Sequence, residues 1–203
     1  MENIFLKVKI FATLLFLVIN CSKNDKEVYT LTFPPITQTG KNTFGCYIDG
    51  KLLVPRDRRV FGGTTIKGMT MSEYSSIPSK IDFFNLRIID GKSDVGDLSF
   101  YFYNLDELGE GTYSIKQGNL WRTDAEIGTT NFWLKSPRQN SRSYFSLEDG
   151  GTLTITKYDY TNGIISGTFS CKAINNNNFS EILEITDGRF DINLNTLNHT
   201  KFP

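Results

Sequence analysis

Histidine is almost missing from this 203-residue chain, with a single one, His199, in the polar stretch Asn195 to Pro203. A Ser/His/acid hydrolase needs a histidine within hydrogen-bond reach of its nucleophile, and a lone histidine in a C-terminal tail is poorly placed to serve as one. Cysteine is scarce too, at three residues, and no C-x-x-C pair or H-E-x-x-H stands anywhere, so no zinc site and no other metal centre is expected. No sign of charge dominates: 22 basic residues balance 22 acidic ones. The densest basic stretch, Arg56-Asp57-Arg58-Arg59, is short and interrupted by an acid, reads as a solvated loop, and gives nucleic acid no phosphate-tracking surface. Long apolar runs are absent but for Ile10 to Ile19, which at about 10 residues falls well short of a membrane-spanning helix. Helical periodicity is lacking downstream, the nearest approach being Asn104 to Glu110, one turn ended by Gly109 and Gly111.

The short apolar run follows Lys7 and Lys9, the order of a secretory signal. Leu17-Val18-Ile19-Asn20-Cys21 resembles a lipoprotein signal, in which aliphatic residues precede a cysteine that is acylated and becomes the new N-terminus. Asn20 stands where such signals usually carry a small residue. The expected division is a signal peptide over residues 1–20, a lipidated tether over 21–42 stiffened by Pro34-Pro35, a single β-domain over 43–195 and a tail over 196–203. Loss of Glu2, Lys7 and Lys9 with the signal leaves 20 basic and 21 acidic residues, a net charge of about −1. Ser22-Lys23-Asn24-Asp25-Lys26-Glu27 is too polar to bury surface.

Aromatic residues, at 13%, favour pleated surfaces, and two-residue turn formers punctuate the chain at Asp49-Gly50, Asp90-Gly91, Asp149-Gly150, Asn162-Gly163 and Asp187-Gly188. Between them the sequence alternates. Thr152 to Thr156 turns Leu153 and Ile155 inward, and Gly188 to Leu194 does the same with Phe190, Ile192 and Leu194. Further segments at 43–48, 51–54, 63–70, 81–89, 97–103, 111–116, 131–135, 143–148, 164–174 and 181–186 bring the expectation to an all-β, antiparallel β-sandwich or flattened barrel of roughly eleven strands. Parity sets Cys46 beside Phe44 and Ile48, and Cys171 beside Phe169 and Ala173, so both thiols point into a core. A disulfide between them and two separate buried thiols both fit that placement.

Few constellations carry chemistry. Gly62-Gly63-Thr64-Thr65-Ile66-Lys67-Gly68 has the residue types of a phosphate cradle in the wrong order, since Lys67 precedes Gly68 and a strand. Asp90, Asp94 and Asp97 flank a hairpin and suit a hard cation in type but lack calcium-loop spacing. Asp106, Glu107 and Glu110 offer acids without a visible pairing. Aromatics remain as the candidate ligand contacts: Tyr101 and Tyr103 alternate against inward Phe100 and Phe102, while Trp121 and Trp133 flank polar stretches.

Pro34-Pro35-Ile36-Thr37-Gln38-Thr39-Gly40-Lys41-Asn42-Thr43-Phe44-Gly45-Cys46, followed by Tyr47 to Lys51, is similar to the opening of a family of uncharacterised Bacteroidota lipoproteins. Gly151 to Lys157, Ile165 to Ser170 and Ile185 to Ile192 resemble that family's last three strands. The resemblance implies an exported β-domain anchored in the outer membrane, facing periplasm or cell surface, and carries no catalytic or binding residue with it. The expected partners are the membrane, through a lipid on Cys21, and a glycan, peptide or envelope-protein ligand bound without catalysis or cofactor. A structural component of the envelope and a carboxylate-based hydrolase are the alternatives.

Overall fold

A computed structural model describes residues 31–75, 81–118, 130–135 and 143–203, the backbone alone for 130–135. Among the described residues twelve strands run in order: β1 (Thr43–Ile48), β2 (Lys51–Leu53), β3 (Arg58–Arg59), β4 (Thr65–Ile66), β5 (Met69–Tyr74), β6 (Phe83–Ile89), β7 (Asp97–Tyr103), β8 (Gly111–Ser114), β9 (Thr130–Lys135), β10 (Ser143–Asp159), β11 (Ile164–Asn175) and β12 (Asn178–Asn193). All but β3 and β4, which pair with each other, join one antiparallel sheet in the order β2-β1-β12-β11-β10-β9-β7-β6-β5, with β8 also on β10. Among the described residues helix is confined to the turns Leu105–Leu108 and Leu194–Leu197.

The long strand β10 turns this sheet into two layers. Residues Ser143 to Phe145 pair with β9, whereas Thr152 to Ile155 pair with β8 along the same edge. The register on β11 jumps between Ser146 and Gly151, and Asp149 there takes a φ of 50°. Extra residues on one strand bend it and increase its twist, so the two leaves part here. Asp149-Gly150, which the sequence suggests as a hairpin turn, is this bulge. Asp187-Gly188 likewise lies within β12, at a second register shift, rather than between two strands. The expected segment 63–70 divides into β4 and β5, and β5 runs on to Tyr74.

Phenylalanine fills the space between the leaves, giving the β-sandwich. Phe100 of β7 meets Phe169 of β11 edge-on at 4.7 Å, and Phe102 meets Phe190 of β12 at 5.6 Å. Phe44, Phe84, Leu86, Ile88 and Leu98 complete a core with almost no exposure. The rings lie close over glycines: a Cβ at Gly167 would stand 2.5 Å from the Thr154 carbonyl oxygen and 2.7 Å from Phe190 Cζ. Gly167→Ala is therefore expected to cost about 1–3 kcal/mol through overpacking, read as a lower urea midpoint at unchanged slope.

Both flanks of the expected 43–195 domain belong to the compact unit, which spans Leu31–Pro203. Residues 37–41 lie over β12, where the Asp191 carboxylate accepts from Thr37 Oγ1 (2.6 Å), the backbone N–H of Thr39 (3.1 Å), Gly40 (2.8 Å) and Lys41 (3.0 Å), and Ser166 Oγ (2.7 Å). Phe33 packs on Tyr47 at 5.0 Å, with the Arg189 guanidinium 4.0 Å above its ring. At the other end Leu197 and Phe202 are buried, and Lys67 Nζ donates to the Thr200 carbonyl at 2.6 Å. The tail that carries His199 is thus docked.

The stretch Arg56 to Arg59, expected as a solvated loop, is a fixed junction. Arg56 donates to both oxygens of Asp90 at 2.6 and 2.7 Å, with side-chain exposures of 11% and 0%. Asp57 accepts from the N–H of Gly68 and of Phe202. An interrupted basic run reads as a loop in one dimension because its partners are distant in sequence.

Candidate ligand-binding site

The outward face of β5, β6 and β7 carries a strip of aromatic side chains. Registers align Tyr74, Phe83 and Tyr103 across the three strands. Tyr74 stacks on Phe83 at 5.1 Å with 22° between planes, and Phe83 reaches Tyr103 at 5.1 Å and Tyr101 at 5.9 Å. Tyr101 and Tyr103, two apart on β7, lie nearly parallel at 6.5 Å. Local sequence dictates the arrangement. Phe84, Leu86 and Ile88 must face the core, so strict alternation turns Phe83 to the other face, and the same logic on β7 turns Tyr101 and Tyr103 there. Exposure grades along the strip: Tyr103 is buried, Phe83 and Tyr101 are half-buried, and Tyr74 is 55% exposed.

On the other side of β5 a cleft of about 520 Å³ opens toward the β10–β11 turn and the Leu194–Leu197 helical turn. Met71, Phe84 and Leu194 give it apolar lining, and Glu73, Tyr160 and Asn198 give it polar groups. Tyr160 is 60% exposed. Close by, the Tyr158 hydroxyl is buried with no hydrogen-bond partner and is pushed up to about 12 by burial, with the charges of Asp106, Tyr160 and Glu73 adding to it. A cleft of this size suits a small ligand. Among its described lining residues Glu73 is the one acid.

Of the residues proposed from sequence, Tyr101 and Tyr103 come together with each other and with Phe83. Trp133 lies opposite Ser99 in the β7–β9 register, two positions from Asn131, which pairs with Tyr101. Its side chain, together with Trp121 and Cys21, falls outside the described residues. Cys46 and Cys171 are two separate buried thiols. Burial raises both, Cys171 to about 12, and each stays protonated and unreactive at neutral pH. Asp90 is held by Arg56 and accepts from Ser93 Oγ and the Lys92 N–H, while Asp97 pairs with Arg87 at 3.3 Å. Among the described residues no group of three His, Cys, Asp or Glu side chains is poised for a metal.

Phe83, Tyr74 and Tyr160 are the contributors sequence reasoning missed. Phe83 was available from the parity of Phe84, Leu86 and Ile88, whereas Tyr74 and Tyr160 lie at strand ends where alternation gives little signal. Comparison with protein-family models, curated proteins and solved structures returned no match.

Proposed function

We propose that this chain is an exported, lipid-anchored binding domain that recognises glycans without catalysis, laying sugar rings along Tyr74, Phe83 and Tyr101, which the buried Tyr103 backs. The observation that carries the reading is four aromatic rings joined through Phe83 on one sheet face, graded from buried to exposed. A pyranose ring presents a face of C–H groups that packs against such a surface, and its rim hydroxyls need polar neighbours. Asn85, which pairs with Tyr101, and Ser72, which pairs with Asn85, stand on the same face. A sheet holds the rings in place before binding, which limits the entropy lost on association.

The anchored part of the reading rests on Lys7, Lys9, the short apolar run and Cys21, together with the resemblance to outer-membrane lipoproteins. Binding of the mature chain to an array of soluble glycans and peptidoglycan fragments tests the ligand class. Retention of one glycan class supports the proposal, and a blank array with folded protein counts against it.

A specific observation favours protein contact as a second reading. Phe179 and Ile182 are 73% and 47% exposed on the hairpin of β11 and β12, apolar surface that an envelope partner would cover. Crosslinking on intact cells to a fixed partner would support it.

A further inference from the structure

We propose that the β3–β4 hairpin is a membrane-contact tip that seats Phe61 in an anionic lipid surface. Phe61 is fully exposed at the end of this hairpin, the most exposed of the large apolar side chains among the described residues. Gly62 and Gly63 follow it with φ of 87° and 82°, and a Cβ on either would meet nothing within 4 Å, so the tip projects into open space. Gly63 N–H donates to the Val60 carbonyl, and Val60 N–H to that of Thr64, which closes the turn.

The base is as firm as the tip is open. Arg56 is locked on Asp90, Asp57 accepts from Gly68 and Phe202, and Lys67 donates to the Thr200 carbonyl. A hairpin held in this way presents Phe61 without an ordering cost on contact. Charge chooses the occupant. From Arg58 to Lys67 there are three cations, Arg58, Arg59 and Lys67, and no acid. Arg59 is exposed, whereas Arg58 is half-buried and its Nε is shut off from water without a hydrogen-bond partner. An aromatic tip beside an exposed cation fits the boundary between acyl chains and anionic headgroups, where the ring leaves water and the Arg59 guanidinium stays with phosphate.

Proximity comes from the tether. If Cys21 carries the lipid, ten peptide steps separate it from Leu31, a reach of at most about 35 Å. The inference rests on the anchored reading for that proximity only, since the affinity belongs to the hairpin.

Co-sedimentation of the mature chain carrying Cys21→Ser, so that no acyl group contributes, tests it with vesicles of phosphatidylcholine alone and of phosphatidylcholine mixed with phosphatidylglycerol. At about five-fold per cation, and with Arg59 the exposed one, partitioning onto the anionic vesicles should exceed that onto neutral ones by about five-fold or more and fall with added salt. Phe61→Ser should weaken it about ten-fold, and Phe61→Trp should keep it while its emission shifts to the blue on vesicle addition. Phe61 has no packing to lose, so both variants should fold. Equal partitioning of Phe61→Ser and the parent, or no preference for anionic vesicles, would overturn the inference. Labelled palmitate on Cys21 in cells reports the anchored reading separately, and its failure would leave the vesicle result standing.

Discussion

Asp191→Ala is expected to lower the stability of the domain by roughly 3–5 kcal/mol, a fall of about 10 °C or more in Tm for a chain of this size. Asp191 is 1% exposed and accepts five hydrogen bonds, from Thr37, Thr39, Gly40, Lys41 and Ser166. Its loss strands four donors of the N-terminal segment and one hydroxyl in the sheet. The segment should then detach, and protease should nick the chain near residues 37–41 in the variant but not in the parent. Asp191→Asn keeps one acceptor oxygen and should fall between the two.

The same carboxylate sets a pH dependence. Burial alone would raise its pKa, but the donors from Thr37, Lys41, Ser166 and Gly40 outweigh burial and hold it below the ordinary Asp range. Asp90 behaves alike, with burial opposed by Arg56, Ser93 and the Lys92 N–H. A depressed folded-state pKa stabilises wherever the unfolded carboxyl is ionised, above about pH 3.9, and that contribution drains away as pH falls through the folded value. Stability should hold from neutrality to about pH 5 and drop steeply below about pH 4. Chemical denaturation across this range checks it, and Asp191→Asn should show a shallower acid limb.

Arg56→Ala is the other large expected effect, at about 3–5 kcal/mol, because it leaves Asp90 buried and unpaired. Asp90 has a side-chain exposure of 0%, and Arg56 is its bidentate partner. Removing both, as Arg56→Ala with Asp90→Ala, should cost less than the sum of the singles by about 1.5 kcal/mol or more, since no lone charge remains. A double-mutant cycle in urea reads the coupling directly. Additive singles would mean that Ser93 and the Lys92 amide already satisfy Asp90 without the arginine.

Alternation carried most of the fold. The inward sets Leu153 and Ile155, Phe190 and Ile192, and Leu98, Phe100 and Phe102 are buried as their parity requires. Parity also turned Tyr101 and Tyr103 outward, which brought half of the aromatic strip within reach of the sequence. It failed where the third dimension overrides it. Asp191 faces outward by alternation and is nevertheless buried, because residues 37–41 lie over it. Asp149-Gly150 has turn chemistry, and it serves a bulge inside β10 because the same positive φ that closes a hairpin also bends a strand. Arg56 and Asp90 are 34 residues apart, so their ion pair leaves no local trace.

The glycan-binding reading is tested most directly by titrating the mature chain, its Tyr74→Ala and its Tyr101→Ala variants with the glycan that the array retains, while recording Tm for each. Loss of a stacked ring at the centre of a site costs about 2 kcal/mol, so each variant should bind about 30-fold more weakly. Tyr74 is more than half exposed, so its variant should keep the parent Tm. Unchanged affinity in both variants, or a glycan released in pieces, would contradict a noncatalytic site built on this strip.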